Sequence, residues 1–306
     1  MKEKELIQII TKTLDSKYIG DDCAYLKDLG ITISQDSLVE DVHFKLSYMT
    51  PFQLGYKAVM VNISDICASG AEPKYLTISL SLPKDTQNSF VKDFYEGAKF
   101  AANGVEIVGG DITGGDKVFI SITAIGSSKN RKISSRKNAQ AGQKIIVSGP
   151  HGSSAAGLKL LLDNQHTPQT LINAHLMPKA QVEFSRQIAT AATSDYAMMD
   201  SSDGLMDALS QIAQASNVKM SIDFSKIPFD KEIKIFNNWQ DLVFYGGEDY
   251  QIIATIEEGL LKKLHGYTII GEVEKAEKDF GVEVNYENHK EFYTPKQIDE
   301  KLYNHF

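Results

Sequence analysis

The chain has 306 residues, enough for two domains of ordinary size, and its 42% hydrophobic and 24% charged residues are typical of a globular protein. The net charge of −8 argues against nucleic acid or an anionic membrane as a partner, because both favour a basic protein surface. No segment approaches the roughly 20 consecutive apolar residues of a membrane span, and the Lys/Glu-rich start does not resemble a signal peptide. The two cysteines, Cys23 and Cys67, match no metal or redox spacing, so we expect buried, reduced thiols and a cytoplasmic protein.

The first half of the chain predicts helices and strands in alternation. A helix covers residues 4–14, and a strand at residues 30–34 ends in a polar cluster. Thr50-Pro51 begins a long helix that extends to Ser69 and is apolar on nearly every side, which indicates a buried helix. The later predicted elements are a strand at 75–82, an amphipathic helix at 86–103, a short strand at 105–108 and a strand at 118–125.

A polar, basic stretch at residues 127–142 separates the two halves. We therefore predict an N-terminal domain at 1–135 and a C-terminal domain at 136–306. The second half predicts strands at 144–147, 196–199, 218–224 and 250–255, and helices at 155–162, 179–193 and 204–216. Strands interleaved with helices predict a layered α/β (or α+β) fold in each domain.

Five short acidic motifs are the most informative feature of the sequence. They are Gly-Asp-Asp at 20–22, Ser-Gln-Asp at 34–36, Asn-Ile-Ser-Asp at 62–65, Gly-Gly-Asp at 109–111 and Asp-Ser-Ser-Asp-Gly at 200–204. Four are expected at strand ends or in turns, and each alone has a structural explanation as a turn or helix start. Asp65 differs, because an unpaired ionised carboxylate within an apolar helix is costly. Many carboxylates beside small residues together indicate sites for a hard cation such as Mg²⁺.

The sequence lacks two familiar phosphate-binding patterns. It has neither a Walker A motif nor the protein-kinase signature set, and no local Cys/His cluster suggests zinc. The nearest Gly-rich loop, residues 149–152, is either a tight strand-to-helix turn or an anion site at a helix N-terminus.

Taken in order, the motifs resemble those of the thiamine-monophosphate kinase family, within the aminoimidazole-ribonucleotide-synthetase-like superfamily. The matching stretches are GDDCAYL at 20–26, ISQDSLVEDVHF at 33–44, GYKAVMVNISDICASGAEP at 55–73, VGGDIT at 108–113, SGPHGSSAAGL at 148–158, MDSSDGL at 199–205 and GGEDYQI at 246–252. The resemblance implies two α/β domains and a homodimer in which the N-terminal domains share a β-barrel. It also implies ATP as co-substrate and several Mg²⁺ ions.

The resemblance assigns roles to individual positions. Metal positions fall on Asp22, Ser34, Gln35, Asp36, Asp65, Asp111, Asp200 and Asp203. ATP contacts fall on Gly110, Asp111, Arg136 and Ser202, and thiamine-phosphate contacts on His43, Glu248 and Phe306. The family usually has Thr at the position of Gln35, so a metal contact there is expected only through the backbone carbonyl.

The implied reaction is direct, in-line transfer of the ATP γ-phosphate to thiamine monophosphate. The second pKa of the acceptor phosphate is about 6, so it needs no general base at pH 7. The obstacle is repulsion between two polyanions, roughly 4 kcal/mol per unit-charge pair at ~4 Å and an effective dielectric of 20. Asp65, Asp111 and Arg136 are therefore the expected catalytic residues, two as metal ligands and one as a fixed cation.

Two other functions remain open from the sequence. One is another ATP-using enzyme of the superfamily, such as aminoimidazole ribonucleotide synthetase or selenophosphate synthetase; the latter usually carries a reactive Cys or selenocysteine in an N-terminal Gly-rich segment, which this chain lacks. The other is a non-catalytic nucleotide or metal sensor, which Gln35 mildly favours.

Overall fold

A computed structural model describes residues 3–303 and arranges their strands in two sheets that follow one another along the chain. The helices in this range are α1 (Glu3–Leu14), α2 (Pro51–Ala68), α3 (Asn88–Ala102), α4 (Ser153–Leu162), α5 (Gln169–Leu176), α6 (Val182–Ala191), α7 (Leu205–Ser216), α8 (Trp239–Tyr245), α9 (Glu258–Leu261) and α10 (Pro295–Asp299). The strands are β1 (Ala24–Leu26), β2 (Ile31–Val39), β3 (Glu72–Leu82), β4 (Glu106–Gly114), β5 (Phe119–Ser127), β6 (Lys144–Val147), β7 (Met198–Asp200), β8 (Val218–Asp223), β9 (Ile252–Ile256), β10 (Thr268–Lys275), β11 (Gly281–Asn285) and β12 (Lys290–Tyr293).

The first sheet has the order β1-β2-β5-β3-β4, with β3 and β4 parallel and the other neighbours antiparallel. Side chains alternate along β5, so that Ile120, Ile122 and Ala124 are buried, whereas Ser121 and Thr123 lie on the opposite, polar face. The helices α2 and α3 belong to the buried side, because α2 contacts β2, β3 and β5. The sheet therefore has one face in the core and one polar face.

The helix α2 begins where the sequence predicts. Thr50 caps it in a capping box with Gln53, and Pro51 occupies the first turn. It crosses α3 at two glycines, since an ideal Cβ on Gly55 or on Gly97 would lie 1.9 Å from a carbonyl oxygen of the other helix. Only glycine permits this close approach, which fixes the position of α2 over the sheet.

The second sheet has the order β12-β11-β8-β10-β6-β9-β7, in which only the β11–β8 pair is parallel. The helix α7 packs on β7, β8, β9 and β11, and α4 packs against α5 and α8. Strand β9, which lies between β6 and β7, is buried at every residue, as expected for a strand covered on both faces.

The two halves meet along α2, which also packs against β7 and α6. The C-terminal end of α2 is anchored by two serine hydroxyls: Ser185 Oγ donates to the Cys67 carbonyl at 2.6 Å, and Ser134 Oγ donates to the Ala68 carbonyl at 2.8 Å. Since buried carbonyl groups need partners, these bonds stabilise the junction between the halves. The buried helix α2 therefore belongs to one continuous hydrophobic core that includes residues of both halves.

Several sequence predictions differ from the structure. The strand predicted to end at Ser34 continues as β2 to Val39, and the strand predicted to end at 108 continues through Gly109-Gly110-Asp111 as β4. Both polar motifs were expected at strand ends or turns, but hydrogen bonding to neighbouring strands keeps them extended. The sequence pattern also missed β1, α5, α8 and every element after β9.

The predicted domain boundary after residue 135 lies between β5 and β6 and stays a prediction. Among the described residues, no helix is long and apolar enough to cross a membrane.

Candidate active site

A cleft of about 1510 Å³ is lined by residues of both halves. The first half contributes loop 20–22, part of β2, and Asp65 of α2; the second half contributes Arg136, loop 202–203, and loop 246–250. The acidic motifs at 20–22, 34–36, 62–65 and 200–204 thus come close together although they are far apart in the sequence.

Three carboxylates form the centre of the cleft. One oxygen each of Asp22, Asp65 and Asp200 lie within 4.8 Å of one another. Asp22 precedes β1, Asp65 lies in the last turns of α2, and Asp200 ends β7. Each comes from a different element, so only the tertiary structure could place them together.

Polar residues of α2 and β2 hold this cluster in place. Ser34 Oγ donates to Asp65, and Ser64 Oγ donates to Asp200, which joins the two halves. Asn62 donates to the Ala58 carbonyl at 2.9 Å and accepts from the backbone N of Asp36 at 3.0 Å. The polar positions of the motif Asn-Ile-Ser-Asp therefore each have a defined contact.

The cluster is unfavourable without a cation. Burial, and then repulsion from Asp36 and Asp200, raises the pKa of Asp65 well above its usual value. Burial and the neighbouring Asp22 raise the pKa of Asp200 to about 7. The donors are all oxygen, and Oδ1 of Asp200 is buried without a hydrogen-bond partner among the described residues. This donor set fits Mg²⁺, which prefers carboxylate oxygens.

Arg136 lies at the edge of the carboxylate cluster. Its guanidinium is 2.9 Å from Oδ1 of Asp22 and also donates to Gln211, while its backbone N donates to Asp21 at 2.7 Å. A short 3₁₀ helix, Arg136–Asn138, begins at this residue. The charge is thus held in one orientation beside the acidic residues.

Glu248 lies in the loop between α8 and β9 and faces the cleft. Its carboxylate is 3.0 Å from the ammonium of Lys57 on α2 and 3.3 Å from Nδ1 of His175 on α5. Burial acts to raise the pKa of Glu248, but the charge of Lys57 outweighs it, so the pKa lies below its usual value. Glu248 and Tyr250 have φ of +65° and +50°, which are strained values for residues with side chains.

Comparison with known proteins agrees with this geometry. Residues 20–128 match the AIR synthase related protein N-terminal domain, and residues 140–284 match its C-terminal domain. The thiamine-monophosphate kinase of Aquifex aeolicus is 37% identical over 98% of this chain and 97% of its own length. That of Bacillus subtilis is 35% identical over the whole of both chains.

The chain belongs to the thiamine-monophosphate kinase family. A solved structure of AaThiL complexed with AMPPCP and TMP is 35% identical, covers 100% of this chain and 97% of its own, and superposes with a TM-score of 0.86. The expected aminoimidazole-ribonucleotide-synthetase-like fold with two domains is confirmed.

Most positions that the thiamine-monophosphate kinase resemblance assigns line the cleft. Besides the three central carboxylates, these are Ser34, Gln35, Asp36, His43, Arg136, Ser202, Asp203 and Glu248. His43 accepts a hydrogen bond at Nδ1 from the backbone N of Val39 at 3.0 Å, which orients its ring. The Ser202 carbonyl accepts from the backbone N of Glu248 at 2.7 Å, so the loops that carry these two residues are directly connected. Their roles stay predictions.

Four assigned positions differ from the others: Gln35 lines the cleft but its side chain is bonded elsewhere, two positions do not line the cleft, and one lies outside the described residues. The side chain of Gln35 bonds Ser121 and Thr123 on the polar face of the first sheet, which leaves only its backbone as a contact for the metal. Gly110 and Asp111 lie in the exposed edge strand β4 and do not line the cleft. Phe306 lies outside the described residues.

Sequence reasoning missed several residues of the site, chiefly Asn62, Ser64, Lys57, His175 and Gln211. One available signal was the argument applied to Asp65, since Lys57 is also a charged residue within the apolar helix α2. His175 lies in α5, which the sequence pattern did not predict.

Proposed function

We propose that this protein transfers the γ-phosphate of ATP directly to the phosphate of thiamine monophosphate, giving thiamine diphosphate and ADP. The observation that carries the proposal is the partly buried carboxylate cluster in a cleft between the two halves of a chain of the thiamine-monophosphate kinase family. The relative that superposes over the whole chain is complexed with AMPPCP, an ATP analogue, and TMP.

The residues of the cleft suit a reaction between two phosphates. The acceptor phosphate, with a second pKa of about 6, is already largely dianionic at pH 7 and needs no base. The two buried cysteines, Cys23 and Cys67, do not line the cleft, so neither is positioned as a nucleophile. The task of the protein is to align both substrates and offset their charge.

The expected Mg²⁺ ions would be held by Asp22, Asp65 and Asp200, with Asp36 and Asp203 at the cleft wall. Bound there, Mg²⁺ would supply the positive charge that lets two polyanions approach each other. Ser34 and Ser64 keep the carboxylates of Asp65 and Asp200 in fixed orientations, so little rearrangement is needed on binding.

Arg136 adds a fixed guanidinium whose planar fork suits phosphate oxygens. In this structure it contacts Asp22 and Gln211, and we propose that ATP phosphates share it. His43 and Glu248, farther along the cleft, would contact the thiamine part of the acceptor.

A homodimer is supported by the edges of the first sheet. Strand β4 is an edge strand, and the part of β2 after Ile33 has no strand on its outer side among the described residues. Large apolar side chains are exposed on and near β4: Tyr75, Phe100, Val108, Ile112 and Phe119. An unpaired edge with apolar neighbours favours pairing with another chain. We propose that two copies close the sheet into the expected β-barrel.

The dimer also accounts for Gly110 and Asp111. In β4 they pair with Ile78 and Ser79 of β3 and are exposed, away from the cleft of their own chain. We propose that they reach ATP and metal in the site of the partner subunit. Because ATP is the co-substrate, we place the reaction in the cytoplasm.

The decisive experiment is to incubate the purified protein with ATP, Mg²⁺ and thiamine monophosphate and to measure thiamine diphosphate and ADP. We expect one diphosphate per ADP, and no diphosphate when EDTA is in excess or when unphosphorylated thiamine replaces the monophosphate. Nucleotide binding or ATP hydrolysis without thiamine diphosphate would contradict the proposal and favour a sensor or another enzyme of the superfamily.

A further inference from the structure

Lys57 is a lysine whose side chain is fully buried in the protein. It lies in α2 with a side chain that is 0% exposed. Its ammonium forms an ion pair with Oε1 of Glu248 at 3.0 Å and has no hydrogen-bond partner among the described residues. It does not line the cleft. A buried lysine is costly unless it is paired, so its one contact needs an explanation.

Glu248 connects this hidden cation to the cleft. Its side chain is 27% exposed, and the loop that carries it lines the cleft. The second oxygen, Oε2, is 3.3 Å from Nδ1 of His175, which also lies 3.1 Å from Oγ of Ser154. Burial lowers the pKa of His175 to about 3, so the ring is neutral and lies against the carboxylate without adding a charge. Both carboxylate oxygens are therefore held, one from each half of the molecule.

We propose that Lys57 is a positioning residue that keeps Glu248 ionised, so that Glu248 can only accept hydrogen bonds. In this state Glu248 selects acceptor molecules that carry an exocyclic amino group on the pyrimidine ring. This inference rests on the proposed function and adds the determinant of specificity. A carboxylate has about four lone-pair positions, so two remain after the contacts with Lys57 and His175.

The ion pair also decides which feature of the substrate Glu248 recognises. A carboxylate that is already paired with an ammonium has little net charge left to attract a second cation, but its remaining lone pairs still accept hydrogen bonds. The cleft wall near Glu248 contains the aromatic rings of Tyr48 and Tyr245, which suit a flat heterocycle. Without Lys57, a buried carboxyl would tend to protonate and become a donor, and a ring with an oxo group would then fit equally well.

The test compares thiamine monophosphate with oxythiamine monophosphate, in which an oxo group replaces the exocyclic amino group. For the wild type, kcat/KM should favour the amino compound by roughly tenfold to a hundredfold, as expected for a hydrogen bond to a charged group. Lys57→Met should lower this ratio by about tenfold and raise the KM for thiamine monophosphate, with the KM for ATP within about twofold of the wild type. The matched control is Lys132→Met, which breaks the ion pair with Asp195 at 2.9 Å outside the cleft and should leave the ratio unchanged.

Lys57→Met leaves the Glu248 carboxylate without its cation and could therefore fail to fold. A second variant provides the test in that case. Lys57→Met with Glu248→Gln removes both charges, and the amide offers a donor and an acceptor, so the ratio should approach one. A ratio that stays at the wild-type value in either variant overturns the proposal. An equal loss of kcat for both acceptors with unchanged KM values, or a wild type without preference, overturns it as well.

Calorimetric binding of both acceptors separates this inference from the proposed function. If the wild type binds thiamine monophosphate but forms no diphosphate, the proposed function fails, and the ratio of the two dissociation constants in wild type and variants still decides the role of Lys57. If the wild type binds neither acceptor, both proposals are overturned.

Discussion

At the scale of single residues, Asp65 has the position of a metal ligand, and without a cation its charge lowers the stability of the folded protein. It lies in α2, donates nothing, accepts from Ser34, and faces Asp22 and Asp200. Burial and these carboxylates raise its pKa, so the isolated protein stabilises the neutral form of the side chain. The same cluster of carboxylates favours binding of a divalent cation, because the cation offsets their mutual repulsion in place of the proton on Asp65.

Asp65→Asn should lower the rate of thiamine diphosphate formation by at least about a hundredfold while the protein stays folded, because the amide carries no charge for the metal. In EDTA the variant should melt at the same or a higher temperature than the wild type, and it should lose most of the stabilisation by Mg²⁺. Assay and thermal melts with and without Mg²⁺ measure both effects. Asp279→Asn, an exposed position between β10 and β11, is the control. Retained turnover would remove Asp65 from the site.

The pH dependence of the cluster has a definite sign. The pKa of Asp200 is raised to about 7 from an unfolded value near 4, so between these pH values the folded state binds more protons than the unfolded state. The contribution of the cluster to stability in EDTA therefore falls as the pH rises through this window. The difference in melting temperature between Asp65→Asn and the wild type should grow from about pH 4 to about pH 7. A difference independent of pH would show that the carboxylates do not interact.

At the scale of elements, α2 connects the two halves of the site, and its position depends on the glycine contact with α3. Its residues 62–65 form hydrogen bonds with β2 of the first half and β7 of the second half. The predicted ends of β2 at Ser34 and of β4 at residue 108 were wrong because of contacts between strands. Ladder bonds from β5 and β3 extend the strands through polar residues whose own sequence favours turns.

Gly55→Ala should destabilise the protein by about 1–3 kcal/mol, because the new methyl group would clash with the Phe94 carbonyl and force α2 away from α3. Displacement of α2 should also weaken Mg²⁺ binding. Urea unfolding and calorimetric titration measure the two effects. Gly259→Ala is the control, since a Cβ there meets nothing within 4 Å, and it should be neutral or slightly stabilising. Unchanged stability of Gly55→Ala would contradict the role given to this helix contact.

At the scale of the whole molecule, one chain leaves an edge strand unpaired and two assigned residues outside the cleft. If two copies close the sheet, Asp111 of one chain serves the site of the other. Co-expressed Asp65→Asn and Asp111→Asn, each inactive alone, should then recover about a quarter of wild-type activity, because half of the dimers are mixed and each has one intact site. Co-expressed Asp65→Asn and Asp22→Asn should stay inactive, since both changes fall in the same chain's site. Absence of recovery in the first pair would refute the shared site.

The dimer itself is tested at Ile112, which is 63% exposed on β4. Ile112→Lys should give a monomer in light scattering and lose activity, because a charge opposes strand pairing at an apolar edge. Ile235→Lys is the control, because Ile235 is similarly exposed, at 56%, in the second half. A dimeric Ile112→Lys protein with full activity would exclude this edge as the interface.

The sequence by itself determined the family, the layered α/β class, the start of α2 and the acidic motifs, because caps, periodicity and motifs are local properties. It also indicated that Asp65 needs a partner, since the cost of a charge in an apolar helix does not depend on the rest of the fold. Only the tertiary structure decided that Asp22, Asp65 and Asp200 converge, that Gln35 turns to the other face, and that Lys57 pairs with Glu248. Those are contacts between distant segments, and they depend on strand register and on how α2 packs between the two sheets, which no local pattern specifies.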